Sequence, residues 1–330
     1  SQSGDNYLEL AAALGGAGTG STVTLGSGAD TIKLTGATTQ SSVDMGGGND
    51  SIVINDTSIA TSTVIGGEGT DTLFFTEDTV GDAYFANVKT SEVAAIDSVA
   101  DNRTLTLGIN AAAAGITSAI AFAADDITAA TFGKSIMLTA DDEAALTGSV
   151  KADTIVGGTG NNVLTSTAGN DTLTGGDGDN TFTLTNSAAT DATMVVTDLG
   201  GADIITLGGA NIIANATIAD AFTAGGASSN AGELNLTAGS TLSGAAVVLT
   251  GITGANGVGV TANSAANDFT LTGQADTFTG GDGADSVTGG AGNDSINAAG
   301  GTNSIVAGAG LDTITINTSS ATTKVDGVGT

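Results

Sequence analysis

The chain has 330 residues, with 35 acidic side chains against 6 basic ones, a formal charge of −29, and no His, Cys, Pro or Trp. That composition excludes imidazole or thiolate catalysis, zinc clusters and disulfides, and it leaves oxygen ligands, which suit hard cations. The charge repels phosphates, so no nucleic acid partner is expected, and no apolar run reaches the roughly 18 residues of a membrane span.

Charged residues are only 12% of the chain and hydrophobic ones 40%, with short Val, Ile, Leu and Phe runs throughout, so an ordered chain is expected rather than a disordered acidic one. From the N-terminus, LGSGADTIK, MGGGNDSIV and GGEGTDTLF set Asp30, Asp50 and Asp71 at intervals of 20 and 21 residues. One motif per full turn of a solenoid fits that spacing, over a first segment 1–75. Segment 76–147 lacks the motif. Within it TLTLG from Thr104 reads as a strand, while FANVKTSEVAAIDSV and INAAAAGITSAIAFAADDI are Ala-rich enough for short helices.

From Gly148 to Thr183 four nine-residue units run in tandem: GSVKADTIV, GGTGNNVLT, STAGNDTLT and GGDGDNTFT. Their sixth positions are Asp153, Asn162, Asp171 and Asn180, and the later DLGGADIIT offers Asp203 within a segment 148–206. Segment 207–262 is again motif-poor, with a strand at ELNLTAG from Glu233. The last segment, 263–330, opens on NSAANDFTL, which offers Asp268. It then carries LTGQADTFT, GGDGADSVT, GGAGNDSIN, AAGGTNSIV and AGAGLDTIT, with Asp276, Asp285, Asp294, Asn303 and Asp312 at the sixth positions. The absence of an initiator Met and the final KVDGVGT read as a piece of a longer repetitive protein.

The common unit is GGxGxDxUx, with U a large apolar residue. Its Gly-rich first six residues permit a sharp turn that brings carbonyl oxygens together, and the last three form a strand whose central side chain points inward. Calcium takes six to eight oxygens, more than one such loop supplies, so stacked loops must share an ion. Two half-turns per coil group Asp276, Asp294 and Asp312 on one edge and Asp285 with Asn303 on the other, 18 residues apart. In the middle block Asp153 and Asp171 share an edge, and Asn162 and Asn180 the opposite one, where calcium should bind more weakly or an amide ladder replace it. A lone Asp at such a place would read as a turn cap; tandem repetition favours a calcium ligand. The adjacent acids Asp125 and Asp126 point apart on a strand and make no glycosidase pair.

GGDGADSVT and GGAGNDSIN resemble the nonapeptides of repeats-in-toxin (RTX) proteins, bacterial secreted proteins that fold as a parallel β-roll. The N-terminal spacing is similar to that of calcium-dependent surface-layer proteins. The resemblance implies an all-β fold, a parallel β-roll or β-solenoid with minor helix, that binds several Ca²⁺ ions. It also implies ligation by sixth-position Asp side chains and by backbone carbonyls at first and third positions, such as Gly280, Asp282, Gly289 and Ala291. The expected function is structural and non-catalytic: an extracellular surface-layer or filament subunit that self-associates, with cell-surface polysaccharide as a further partner. The alternative is the repeat region of a large adhesin, or the calcium-folded secretion module of a toxin or hydrolase.

Overall fold

A computed structural model describes residues 4–10, 22–34, 42–54, 63–77, 79–96, 103–121, 125–132, 134, 136–140, 142–316 and 324–328. The chain divides into two compact units, Ser1–Thr159 and Gly160–Thr330. Each is an all-parallel β-solenoid.

In the first unit the strands Tyr7–Leu10, Thr31–Leu34, Ser51–Ile54, Thr72–Phe75, Val93–Ile96, Ser118–Ala121, Met137–Ala140 and Thr154–Val156 pair in chain order. Neighbours are one coil apart, so Ile32 lies beside Ile52 and Ile52 beside Leu73. A second ladder joins Thr22–Thr24, Ser42–Asp44 and Thr63–Ile65, and a third joins Thr79–Val80, Thr104–Thr106, Asp126–Thr128 and Ala145–Thr147. Alternation sets what each strand buries: Ile32 and Leu34 face inward while Thr31 and Lys33 remain half-exposed.

Among the described residues only one of the two Ala-rich stretches yields an α-helix, Ile109–Ala114. The carboxylate of Asp82 caps it from another turn, accepting the N–H groups of Gly108, Asn110 and Ala111 at 2.8, 3.0 and 2.9 Å. In the other stretch Val93–Ile96 is a strand, because it pairs on both sides and buries Ala94, Ala95 and Ile96. Tertiary pairing there overrides alanine's helix preference.

In the second unit Val163–Ser166, Thr181–Leu184, Ile204–Leu207, Ser229–Asn230 and Thr253–Gly254 form one ladder. Beside it run two long strands, Ala192–Gly201 and Ile212–Thr223. The latter splits: its first half pairs with Glu233–Ala238 and its end with Ala246–Val248. From that fork two stacks of short strands continue. One aligns Val260, Phe278, Ile296 and Ile314, the other Val247, Phe269, Val287 and Ile305. Each nonapeptide is thus a half-turn with an inward central side chain, and Phe269 meets Phe278 with ring centroids 5.1 Å apart. One large apolar side chain per half-turn contributes only about 1.5–3 kcal/mol. The core is thin, and it leaves the turns at its edges to supply the rest.

Among the described residues no helix is long and apolar enough to cross a membrane.

Candidate metal centre

The sixth-position residues stack into ladders in which each carboxylate reaches back one coil. In the first unit the N–H of Asn6 donates to Asp30 Oδ1 at 2.8 Å, that of Asp30 to Asp50 Oδ1 at 2.8 Å, and that of Asp50 to Asp71 Oδ1 at 3.0 Å. Glu92 closes the series by accepting the Asp71 N–H at 3.0 Å. In the second unit Val258 donates to Asp276, Asp276 to Asp294, and Asp294 to Asp312, at 2.8, 2.9 and 3.0 Å. On the other edge Asn267 donates to Asp285 and Asp285 to Asn303, at 3.1 and 2.9 Å.

These bonds occupy one carboxylate oxygen. The other, Oδ2, is buried without a hydrogen-bond partner at Asp30, Asp50, Asp71, Asp285, Asp294 and Asp312. None of the first five residues is more than 2% exposed. An orphaned oxygen of an ionised group is costly, by about 1–3 kcal/mol or more, unless a proton or a cation meets it. Burial pushes the carboxyls of Asp50, Asp71 and Asp285 up from their ordinary range. Burial, together with the neighbouring Asp276 and Asp312 carboxylates, raises Asp294 to about 6 even though the Asp276 N–H counteracts it.

The glycines shape these turns. Gly290 and Gly292, at the second and fourth positions of the Asp294 turn, have φ of +106° and +109°, and a Cβ on either would strike the backbone of Thr272 or Gln274. Gly46 and Gly48, Gly67 and Gly69, and Gly308 and Gly310 repeat the pattern before Asp50, Asp71 and Asp312. At the first position a Cβ on Gly289 would collide with both Asp294 Oδ2 and the Ala307 carbonyl of the next coil. One on Gly66 would collide with both Asp71 Oδ2 and the Thr90 carbonyl. A carboxylate oxygen and a carbonyl oxygen therefore face one small space.

Other turns close differently. Asp276 Oδ2 accepts the Thr272 N–H at 2.8 Å, and the Thr272 hydroxyl lies 2.8 Å from Oδ1. Asp153 Oδ2 accepts the Ser149 N–H at 2.6 Å, with the Ser149 hydroxyl 2.9 Å from Oδ1. Asp171 Oδ2 accepts the Ser166 hydroxyl. Asp203 accepts the N–H of Asn180 at 2.7 Å and that of Gly200 at 2.9 Å; burial, helped by Asp198 and Asp179, lifts it to about 6. Asp268 lies outside the ladder. The sixth position of that unit is Asn267, which is buried, whereas Asp268 begins the next strand and points outward. The expected register was one residue late.

Gly280 and Gly289 sit at the buried starts of their turns, donating to the carbonyls of Asn297 and Val306 at 2.8 and 2.9 Å. Asp282 and Ala291 occupy exposed third positions, and Ala291 bridges in parallel to Ala309. The equivalent third-position bridges Ser27 to Gly47 and Gly47 to Glu68 tie the N-terminal turns together. Among the described residues no group of three acidic side chains converges on one point. Each turn presents one carboxylate, so backbone carbonyls must complete any coordination shell.

Compared with known families, the chain matches the RTX calcium-binding nonapeptide repeat at residues 147–182, 270–305 and 279–314, about a quarter of its length. The chain thus carries RTX nonapeptide repeats within a parallel β-solenoid. No match was found among curated proteins. The RTX units that match include both closed turns, such as that of Asp276, and open ones, such as that of Asp294. The roles of Ser149, Ser166 and Thr272 went unread in the sequence. Their signal was a hydroxyl where the RTX unit has glycine.

Proposed function

We propose that this RTX chain is a calcium-folded structural protein of the cell exterior, serving as a surface-layer or filament subunit. The observation that carries the calcium reading is the row of buried carboxylates whose second oxygens have no partner and face carbonyls of the next coil, as Asp294 faces Ala307. Carboxylate and carbonyl oxygens are the donors that Ca²⁺ prefers, and a space too small for a Cβ beside them suits an ion. Asp30, Asp50, Asp71, Asp285, Asp294 and Asp312 would supply side-chain ligands, with first- and third-position carbonyls such as those of Gly280, Asp282, Gly289 and Ala291 completing the shell. Bound Ca²⁺ supplies charge neutralisation between coils, which a chain of net charge −29 with a thin core lacks.

RTX repeats are typical of secreted proteins, which supports an extracellular location. Support for the structural role comes from the regular parallel coils and from outward rows of Thr and Ser, such as Thr277, Ser295 and Thr313, which suit lateral packing more than chemistry. Electron cryomicroscopy of the purified protein with calcium, repeated after chelation, tests this role. Arrays or filaments that dissolve with chelator are expected. A protein that folds with calcium yet stays monomeric would instead be a module of a larger secreted adhesin or hydrolase.

A further inference from the structure

We propose that calcium is confined to the double-glycine turns, and that the other nonapeptide turns are closed by their own side chains and fold without metal. The proposal rests on the calcium reading above and goes beyond it by separating turns that share the same motif.

Three kinds of turn follow from the chemistry at the Asp or Asn and at the position-two residue. In the open kind, Gly46, Gly67, Gly290 and Gly308 hold φ between +97° and +116°, and the Oδ2 atoms of Asp50, Asp71, Asp294 and Asp312 are left without donors. In the hydroxyl-closed kind, Ser149 and Thr272 replace that glycine. Neither adopts positive φ, and each turns its N–H onto the Asp Oδ2, at 2.6 and 2.8 Å, with its hydroxyl beside Oδ1. Ser166, at the first position, instead donates its hydroxyl to Asp171 Oδ2. A carboxylate so bonded already has its charge dispersed over several donors, and a cation would have to displace them.

In the amide-closed kind the side-chain NH₂ bonds carbonyls of its own turn and, at Asn162, of the next coil as well. Asn162 Nδ2 donates to Gly160 O of its own loop at 2.8 Å and to Gly175 O of the next coil at 3.3 Å. Gly175 stands where Ala307 stands for Asp294, at the first position of the following turn on the same edge. Asn180 Nδ2 donates to Gly176 O and Gly178 O, both at 3.3 Å, and Asn303 Nδ2 to Ala298 O and Gly300 O, both at 2.7 Å. The amide places two neutral donors in the turn and brings no charged oxygen to a cation.

Metal is therefore assigned to the double-glycine turns whose Asp Oδ2 has no donor, those of Asp30, Asp50 and Asp71 in the first unit and of Asp285, Asp294 and Asp312 in the second. The turns of Asp153, Asp171, Asp276, Asn162, Asn180 and Asn303 are metal-free.

Equilibrium dialysis of the intact protein against radioactive calcium tests this, with far-ultraviolet circular dichroism as the check on folding. Asp153→Asn, Asp171→Asn and Asp276→Asn are expected to retain the wild-type number of ions, whereas Asp71→Asn and Asp294→Asn each lose at least one. If a variant fails to fold, anomalous X-ray scattering from wild-type crystals grown in calcium gives the answer. Peaks beside Asp71 and Asp294 and none beside Asp276 Oδ2 support the assignment, and a peak at Asp153, Asp171 or Asp276 overturns it. A wild-type protein that binds calcium but loses an ion with Asp276→Asn sinks this proposal alone. One that binds no calcium sinks the calcium reading as well.

Discussion

The backbone N–H of Asp276 donates to Oδ1 of Asp294, one coil further on, at 2.9 Å. Through that bond a side chain does what a sheet ladder does elsewhere, and it leaves Oδ2 free for a cation. The two oxygens can be separated by mutation. Asp294→Asn keeps the acceptor for Asp276, whereas Asp294→Ala removes it and strands a buried N–H. In chelator, urea unfolding should place Asp294→Ala about 1–3 kcal/mol below Asp294→Asn. Equal stabilities would mean that the bond contributes nothing.

Gly290 and Gly273 make a matched pair in neighbouring turns. Gly290 has φ +106° with the Thr272 carbonyl against its Cβ position, whereas a Cβ on Gly273 meets nothing within 4 Å. Gly290→Ala should destabilise the calcium-loaded protein by about 1–3 kcal/mol, and Gly273→Ala by no more than about 0.5 kcal/mol. Chemical denaturation in saturating calcium measures both.

Acidity should act oppositely on the empty and the loaded protein. Without metal, the folded chain holds a proton on Asp294 up to about pH 6, while the unfolded chain releases it near 3.8. The folded state thus binds more protons in that window. Its stability from this group is fully present below about pH 4 and falls as pH rises through about 6. Asp203, also raised to about 6, acts in the same direction. Calcium needs the carboxylate, so its affinity should fall as the pH drops through the same range. The urea midpoint in chelator is expected to be higher at pH 5 than at pH 7, and calcium affinity by calorimetry lower. Midpoint and affinity moving together would contradict the assignment.

Phe278 is buried against Phe269 in the part of the second unit where each half-turn contributes one large side chain. Phe278→Ala should cost about 3–5 kcal/mol, a large share of a small domain's stability. Thermal unfolding in calcium measures it, and a loss under about 1 kcal/mol would show that the stacked strands, not this core, carry the second unit.

The coil geometry was legible in the sequence because the nonapeptide fixes period and facing together. Asp276, Asp294 and Asp312 fall on one edge as their spacing implies, and the wider spacing of Asp30, Asp50 and Asp71 likewise means one motif per coil. The fork at Ile212–Thr223 was hidden, since nothing local marks a strand that serves two stacks. Register around Asp268 was hidden for a related reason: Asn267 and Asp268 are both turn-formers, and only pairing to Ser286 decides which one enters the strand. The closing of Asp153 and Asp276 by Ser149 and Thr272 depends on backbone torsions that a motif does not display. A sixth-position Asp fits both a turn cap and a ligand in the sequence; in the structure Asp153 and Asp276 are bonded by Ser149 and Thr272, whereas Asp50 and Asp294 keep an Oδ2 without a hydrogen-bond partner.

The most direct test is hydrogen exchange, resolved by segment, on the intact protein in chelator and in saturating calcium. Calcium is expected to slow exchange by at least about tenfold in 45–54, 63–71 and 289–312, where buried carboxylate oxygens lack a hydrogen-bond partner. Exchange in those segments that is the same with calcium as with chelator would contradict it.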